Sequence, residues 1–204
     1  MAQVRLTKNE LKNKRDELRM YERYLPTLQL KKQQLQIETR SIQSRMEQLE
    51  AQKATYQKES EVWIAVFSEQ DVARAKDGKP LIKVVSLRTD TGNVAGVNIP
   101  LFQGVEFEHI QYDLYEKPLW VDAGLELLEK LVRTQIELEV VTKQYTLLAH
   151  ELRITTQRVN LFEKVKIPET KTDIRKITIY LGDQETAQVV RGKIAKRKVE
   201  GAER

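Results

Sequence analysis

The stretch LQLKKQQLQIETRSIQSRMEQLEAQKATYQKESEVW, residues 28–63, decides the fold. Leu28, Leu35, Ile42, Leu49, Tyr56 and Trp63 follow one another at steps of seven. On either side of it, Val4, Leu11, Leu18 and Leu25 form a companion series that resumes at Met46 and Phe67, while Tyr21 extends the Leu28 series backwards. A seven-residue repeat held this long describes a narrow seam on one helix, wound with one partner helix in a left-handed supercoil. The pattern predicts a helix from about Thr7 to Ala75, roughly 100 Å long at ~1.5 Å per residue. Its seam is imperfect: Lys32, Thr39 and Lys53 take one seam position and Lys14 the other, and polar residues there weaken a coil while fixing its register. Pro26 lies inside the pattern, where its missing N–H predicts a kink or a local break.

The second half of the chain has the same grammar. Trp120, Leu127, Val141, Leu148 and Phe162 recur at sevens, with Thr134 and Thr155 completing the series. Leu131, Leu138, Tyr145, Leu152 and Val159 run beside it. This helix is expected to start near Pro118, since proline suits a first turn, and to run past Val165. Pro168 predicts a second discontinuity, with Thr172 or Asp173 capping a final helix whose looser apolar face is Ile174, Ile177, Leu181, Val189 and Ile194.

Between the blocks the period changes. Asp77-Gly78-Lys79-Pro80 breaks the helix, and Leu81 to Thr89 alternates as a short strand does. Asp90-Thr91-Gly92-Asn93 is the expected turn, Val94 to Ile99 the returning strand, Pro100 its end, and Val105 to Tyr112 a further extended piece. The expected architecture is therefore all-α dominated: a long antiparallel two-helix coiled coil with a small β-hairpin insertion. Its parts are an N-terminal coiled-coil helix over 1–76, the insertion over 77–117, and a C-terminal helix with a basic tail over 118–204.

Composition agrees with long exposed helices. Charged residues make up 32% of the 204 and aromatics 6%, and 8 Gly and 5 Pro leave few turn-formers for the length. The 35 basic and 30 acidic residues are interspersed, as on a solvated helix surface, for a net charge of +5. The basic excess gathers mainly over Arg191 to Lys198 rather than along one long patch, which weighs against nucleic acid as the partner. The absence of Cys removes disulfides, thiolate metal sites and thiol catalysis, and fits a cytoplasmic protein. No run approaches the ~20 apolar residues of a bilayer span. Met1 to Asn9 carries no signal-peptide core, so any membrane association is expected to come through a partner.

No constellation for catalysis is legible. His109 and His150 are far apart and lack carboxylate spacing for a metal. No Gly-rich phosphate loop and no G-x-S-x-G occur. His150 reads as a partly exposed structural residue on the flank of the seam. Glu106, Glu108, Asp113 and Glu116 read as an acidic, solvated edge of the insertion, whose free strand edge is the expected place of a protein contact. Catalytic, cofactor and metal sites are thus all expected to be absent.

Three segments give the helix–hairpin–helix a more specific likeness. They are Arg5-Leu6-Thr7-Lys8-Asn9-Glu10-Leu11 with Tyr24-Leu25-Pro26-Thr27-Leu28-Gln29-Leu30-Lys31-Lys32, then Asn93-Val94-Ala95-Gly96-Val97 with Ile99-Pro100, then Thr156-Gln157-Arg158-Val159-Asn160-Leu161-Phe162-Glu163 with Ile167-Pro168. In this order they resemble the D-subunit family of V/A-type ATPases in its bacterial form, the last segment being similar to the family's R-V-N-A-L-E motif. Phe162 stands where that family usually has Leu, and Asp183-Gln184-Glu185-Thr186 lacks a Glu-Arg pair common there.

The resemblance implies a non-catalytic central stalk, the rotor shaft that carries torque between a catalytic hexamer and a membrane ion-translocating ring. The implied partners are the catalytic and non-catalytic large subunits, the small F subunit of the stalk, and the connector to the ring. Val159 lies on the seam, so Arg158 and Asn160 flank it and can face either the partner helix or an outside protein. Glu163 is placed to pair with Arg or Lys across the coil, and these three are expected partner contacts. Arg191, Lys193, Lys196, Arg197 and Lys198 are implied to lie within the hexamer. The alternative is a prefoldin-like or scaffold coiled coil, which would expose apolar tips where this chain carries charged termini.

Overall fold

A computed structural model describes residues 5–67, 80–110 and 120–202. The elements are α1 (Lys8–Phe67), β1 (Ile82–Val94), β2 (Val97–His109), α2 (Trp120–Leu161), a π turn (Phe162–Lys166) and α3 (Ile167–Ala202). Long helices around a two-stranded antiparallel hairpin are the expected fold class. Residues 68–79 and 111–119, which hold the expected helix end at Ala75, the Asp77–Lys79 breaker, the helix start at Pro118, and Asp113 and Glu116, lie outside the described residues.

α1 starts as its first residues dictate. The amide of Glu10 donates to Thr7 Oγ1 at 3.2 Å, and the amide of Leu11 reaches the Thr7 carbonyl at 3.0 Å. Thr7-x-x-Glu10 has the capping-box spacing, so a segment that carries the family likeness also satisfies an otherwise orphaned amide. The helix then continues through Pro26 without the break the sequence suggests. One missing hydrogen bond in a helix of 60 residues is outweighed by the turns on either side.

The chain divides into two compact units, Gln33–Arg153 and Met1–Lys32 with Ile154–Arg204. In the first, α1 and α2 pair antiparallel. Leu35 packs with Leu148, and ten residues further along α1 Arg45 bonds Glu137 at 2.6 Å, back along α2. Leu35 and Leu148 are fully buried and Leu49 nearly so, each contributing about 1.5–3 kcal/mol relative to exposure. Thr39 and Thr134 fill seam positions by turning their hydroxyls back to the Leu35 and Lys130 carbonyls, at 2.6 and 2.8 Å. The polar seam residue is thereby satisfied within its own helix, leaving a methyl to pack.

The hairpin lies on this pair. Ile99 shares the core with Leu35 and Leu148, and Val94, Ala95, Val97, Ile42 and Leu152 close around it. The Gln144 side-chain amide donates to the Pro100 carbonyl. Towards the open end of the hairpin, His109 Nε2 stands 4.0 Å from Glu129, and the Ile110 amide bonds the Leu81 carbonyl at 3.0 Å. α2 therefore buries two stripes here, one on α1 and one under the hairpin, which is why the adjacent Val140 and Val141 are both buried.

The hairpin corrects two expectations. The turn is Ala95-Gly96, not Asp90–Asn93, which stays in β1. Both turn residues have positive φ, 50° and 82°, the signature of a type I′ two-residue turn whose twist matches the strands. Asn93 supports it by accepting from the Gly96 amide at 3.0 Å and donating to Asn98 at 2.8 Å. Gly92 serves another purpose: a Cβ there would come within 2.9 Å of the Leu101 side chain. Pro100 does not end the strand, because β2 runs from Val97 through Pro100 to His109. Counting alternately from the closing pair Val94–Val97, the Pro100–Thr91 pair is non-hydrogen-bonded, so the missing N–H faces outward and costs no ladder bond. Its carbonyl faces outward too, where Gln144 meets it. The further piece expected from Val105 is the second half of this same strand.

In the other unit α1 pairs antiparallel with the end of α2 and with α3. Lys8 meets Glu185 and, two heptads along α1, Glu22 meets Lys171 two heptads back, both at 3.2 Å. Tyr21 packs on Phe162 with the rings tilted by 40° and their centroids 5.2 Å apart, and Thr155, Val159, Thr170 and Ile177 are buried. The cap expected at Thr172 or Asp173 is absent. α3 runs unbroken through both, and the Thr172 hydroxyl bonds the Pro168 carbonyl four residues back at 2.9 Å. The discontinuity sits upstream of Pro168 as the π turn, where helix persists but widens.

Candidate partner-binding surfaces

Two surfaces carry the residues singled out by sequence. The first is the end of α2 and the π turn. Arg158 and Asn160 flank the buried Val159 and are themselves exposed. Leu161 and Val165, 43% and 48% exposed, add apolar area beside them. Glu163 is exposed on the π turn and makes no ion pair among the described residues, contrary to the expected pairing across the coil. Its place on a widened turn, outside regular heptad geometry, accounts for the difference.

The second surface is the far end of α3. Every residue from Gly182 to Val199 is exposed, so this stretch buries no side chain among the described residues. Val189, Val190 and Ile194 are each about half uncovered or more, and Arg191, Lys193, Lys196, Arg197 and Lys198 stand among them. Val190 and Ile194 are four apart and share a stripe with Arg197 and Lys198, one turn on. Helices in proteins draw most of their stability from packing an apolar face, which this stretch does not do among the described residues, so it is a candidate contact surface.

The electrostatics of the seam centre on Lys14. It hydrogen-bonds Glu17 at 2.9 Å, and this bond is the main cause of a pKa raised above the usual 10.5. Partial burial opposes the shift, while the charges of Glu17, Asp173 and Glu10 add to it. Acidic groups on α1 and α3 thus favour the charged form of this seam lysine.

Of the acidic edge of the insertion, Glu106 is tied into the hairpin. Glu106 receives the Arg88 guanidinium and the Ser86 hydroxyl across the strands. His150 is exposed on α2. Among the described residues no group of three His, Cys, Asp or Glu side chains could hold a metal, and no helix is long and apolar enough to cross a membrane.

Sequence reasoning missed the hairpin's seat on α2. Val121, Val132, Ile136 and Val140 mark a second apolar stripe beside the seam, ending at Gln144 one turn on. That stripe was the available signal.

Known proteins resemble this chain along nearly its whole length. The family model for the ATP synthase D subunit matches residues 10–197. The V-type ATP synthase D subunit of Borreliella burgdorferi is 49% identical over 198 residues, covering 96% of this chain and 95% of the relative. The same-named protein of Chlamydia trachomatis serovar L2 is 34% identical over 200 residues, covering 98% and 97%. That of Chlamydia caviae is 31% identical over 203 residues, covering 98% and 95%. With the similarity spanning both helical blocks, the hairpin and the exposed end of α3, the chain belongs to the D-subunit family of V-type ATP synthases.

Proposed function

We propose that the chain is the central-stalk subunit of a V/A-type rotary ATPase, the shaft that passes torque between a catalytic hexamer and a membrane ion-translocating ring. The reading is carried by similarity to D subunits over nearly the whole chain. The physical chemistry supports it. Two helices wound together resist twisting better than one, and both units pair their helices this way. The exposed end of α3 offers a shaft tip whose cations, Arg191, Lys193, Lys196, Arg197 and Lys198, slide past acidic loops through weak, screened contacts rather than fixed ion pairs.

In this reading the chain performs no chemistry, and ATP is made or hydrolysed on the large subunits. The three working parts are 1–76, 77–117 and 118–204. The partners are the catalytic and non-catalytic large subunits, the small F subunit of the stalk and the connector to the ring. Arg158, Asn160 and Glu163 belong to a partner contact on the coil. The protein is cytoplasmic and peripheral to the membrane through the complex, without nucleic acid as a partner.

The test is affinity capture of the tagged full chain from its own cells, with the partners identified by mass. Recovery of both large ATPase subunits and a small companion supports the reading. Recovery of unfolded clients, or of nucleic acid released by salt, refutes it.

A further inference from the structure

The buried seam at the end of α2 runs through Thr155 and Val159 to the half-buried Phe162. Counting on by sevens from Thr155 and Phe162 puts Glu169 on the seam. Glu169 is exposed, and the structure instead buries Thr170 and Ile177, with Ile167, Ile174 and Leu181 half-buried between and beside them. From Thr170 onward the seam is one residue late.

The extra residue is absorbed in one place. The Ile167 amide bonds the carbonyl of Phe162, five residues back instead of four, and the five-residue π turn between them contains no buried side chain. Pro168 adds an independent reason for this location. In a regular α-helix its ring would press on the carbonyl of Lys164, and a widened preceding turn relieves that contact.

We propose that the π turn is a phase-setting joint. It holds one residue out of the heptad count, Pro168 fixes where that residue sits, and α3 can then seat Thr170 and Ile177 against α1 in line with Thr155 and Phe162. Regular α-helix in its place would turn α3 by about 100° and bring Glu169, Lys176 and Asp183 onto the seam. Tyr21 on Phe162 marks the coil where it enters the joint, and Glu22 with Lys171 the coil after it. The joint follows from the seam's own geometry, whatever partners the stalk reading assigns.

The experiment compares two single-residue deletions in the full chain by helical circular dichroism and thermal midpoint. Deleting Lys164 removes the extra residue and no core side chain. The spacing from Phe162 to Thr170 then becomes seven, and the midpoint is expected to stay within about 2 °C of the parent. Deleting Arg175, equally exposed but within regular α3, throws Ile177 and Leu181 off the seam and lowers the midpoint by about 5 °C or more. Equal damage from the two deletions overturns the proposal. Hydrogen exchange of Pro168→Ala provides a second readout, because freeing the extra residue to migrate should speed amide exchange across 163–170 about tenfold and leave 174–181 unchanged. Unaltered exchange there overturns the assigned role of Pro168.

Discussion

The two units are built from the same kind of coil but held in different ways. In Gln33–Arg153 the helix pair carries a third layer, so Leu35, Ile99 and Leu148 from three elements converge on one buried cluster. In the unit formed by 1–32 and 154–204, α1 packs on the continuous run of α2, the π turn and α3 with no further layer among the described residues. Its buried residues include Thr155 and Thr170, and the cross-helix ion pairs are exposed. A threonine methyl supplies less apolar burial than a leucine side chain, and exposed pairs contribute about 0–1 kcal/mol. Covering a coil with a hairpin concentrates stability, whereas a bare coil keeps its surfaces available for other proteins.

The largest test of this contrast is Leu148→Ala. It should cost about 2–5 kcal/mol in denaturant unfolding, because the cavity opens among three elements. Thr155→Ala, its bare-coil counterpart, should cost about 1 kcal/mol or less. Equal losses would show that the hairpin layer adds nothing.

Gln144→Ala comes next, at about 1–2 kcal/mol, since the half-buried Pro100 carbonyl loses its donor. The loss should appear as faster hydrogen exchange in β1 and β2, not in α3. Ala95→Gly works in the opposite direction. Ala95 holds a φ of 50°, which strains any residue with a Cβ, so glycine should stabilise the hairpin by up to about 1 kcal/mol.

How much of this was legible follows from particular residues. The seven-residue series ending at Trp63 and Phe162 announces both long helices directly, and Val/Ile alternation announces the strands. The turn is displaced because Gly92 and Asn93 look like turn residues, yet Gly92 makes room for Leu101 while Asn93 braces a turn centred on Ala95-Gly96. Pro100 misleads because only the register reveals that its nitrogen faces outward. The step of eight from Phe162 to Thr170 is visible once sought, but a sequence offers no means of choosing between a broken helix and a widened turn. Of the partner surfaces, the charge at Arg191–Lys198 is plain in sequence, whereas its full exposure depends on where α1 begins.

The bare coil has the smallest effects. Lys171→Ala removes one exposed pair and should change stability by about 0.5 kcal/mol or less. Lys14 supplies its pH dependence. With a pKa raised in the folded chain, its contribution is fully present below the unfolded value and is lost as pH rises through the folded one, above 10.5. Parent and Lys14→Met unfolding curves should therefore converge in slope with pH below 10 and diverge only in alkali. A Lys14-dependent change between pH 5 and 8 would contradict that assignment.

A rotating stalk requires the exposed end of α3 to turn inside a ring of other subunits. The chain has no Cys, so Val190→Cys introduces a single thiol on that helix for disulfide cross-linking to a cysteine placed on a large subunit of the assembled ATPase. Oxidation should lock the complex and abolish ATP turnover, and reduction should restore it. Full turnover with the cross-link formed would contradict rotation of this chain.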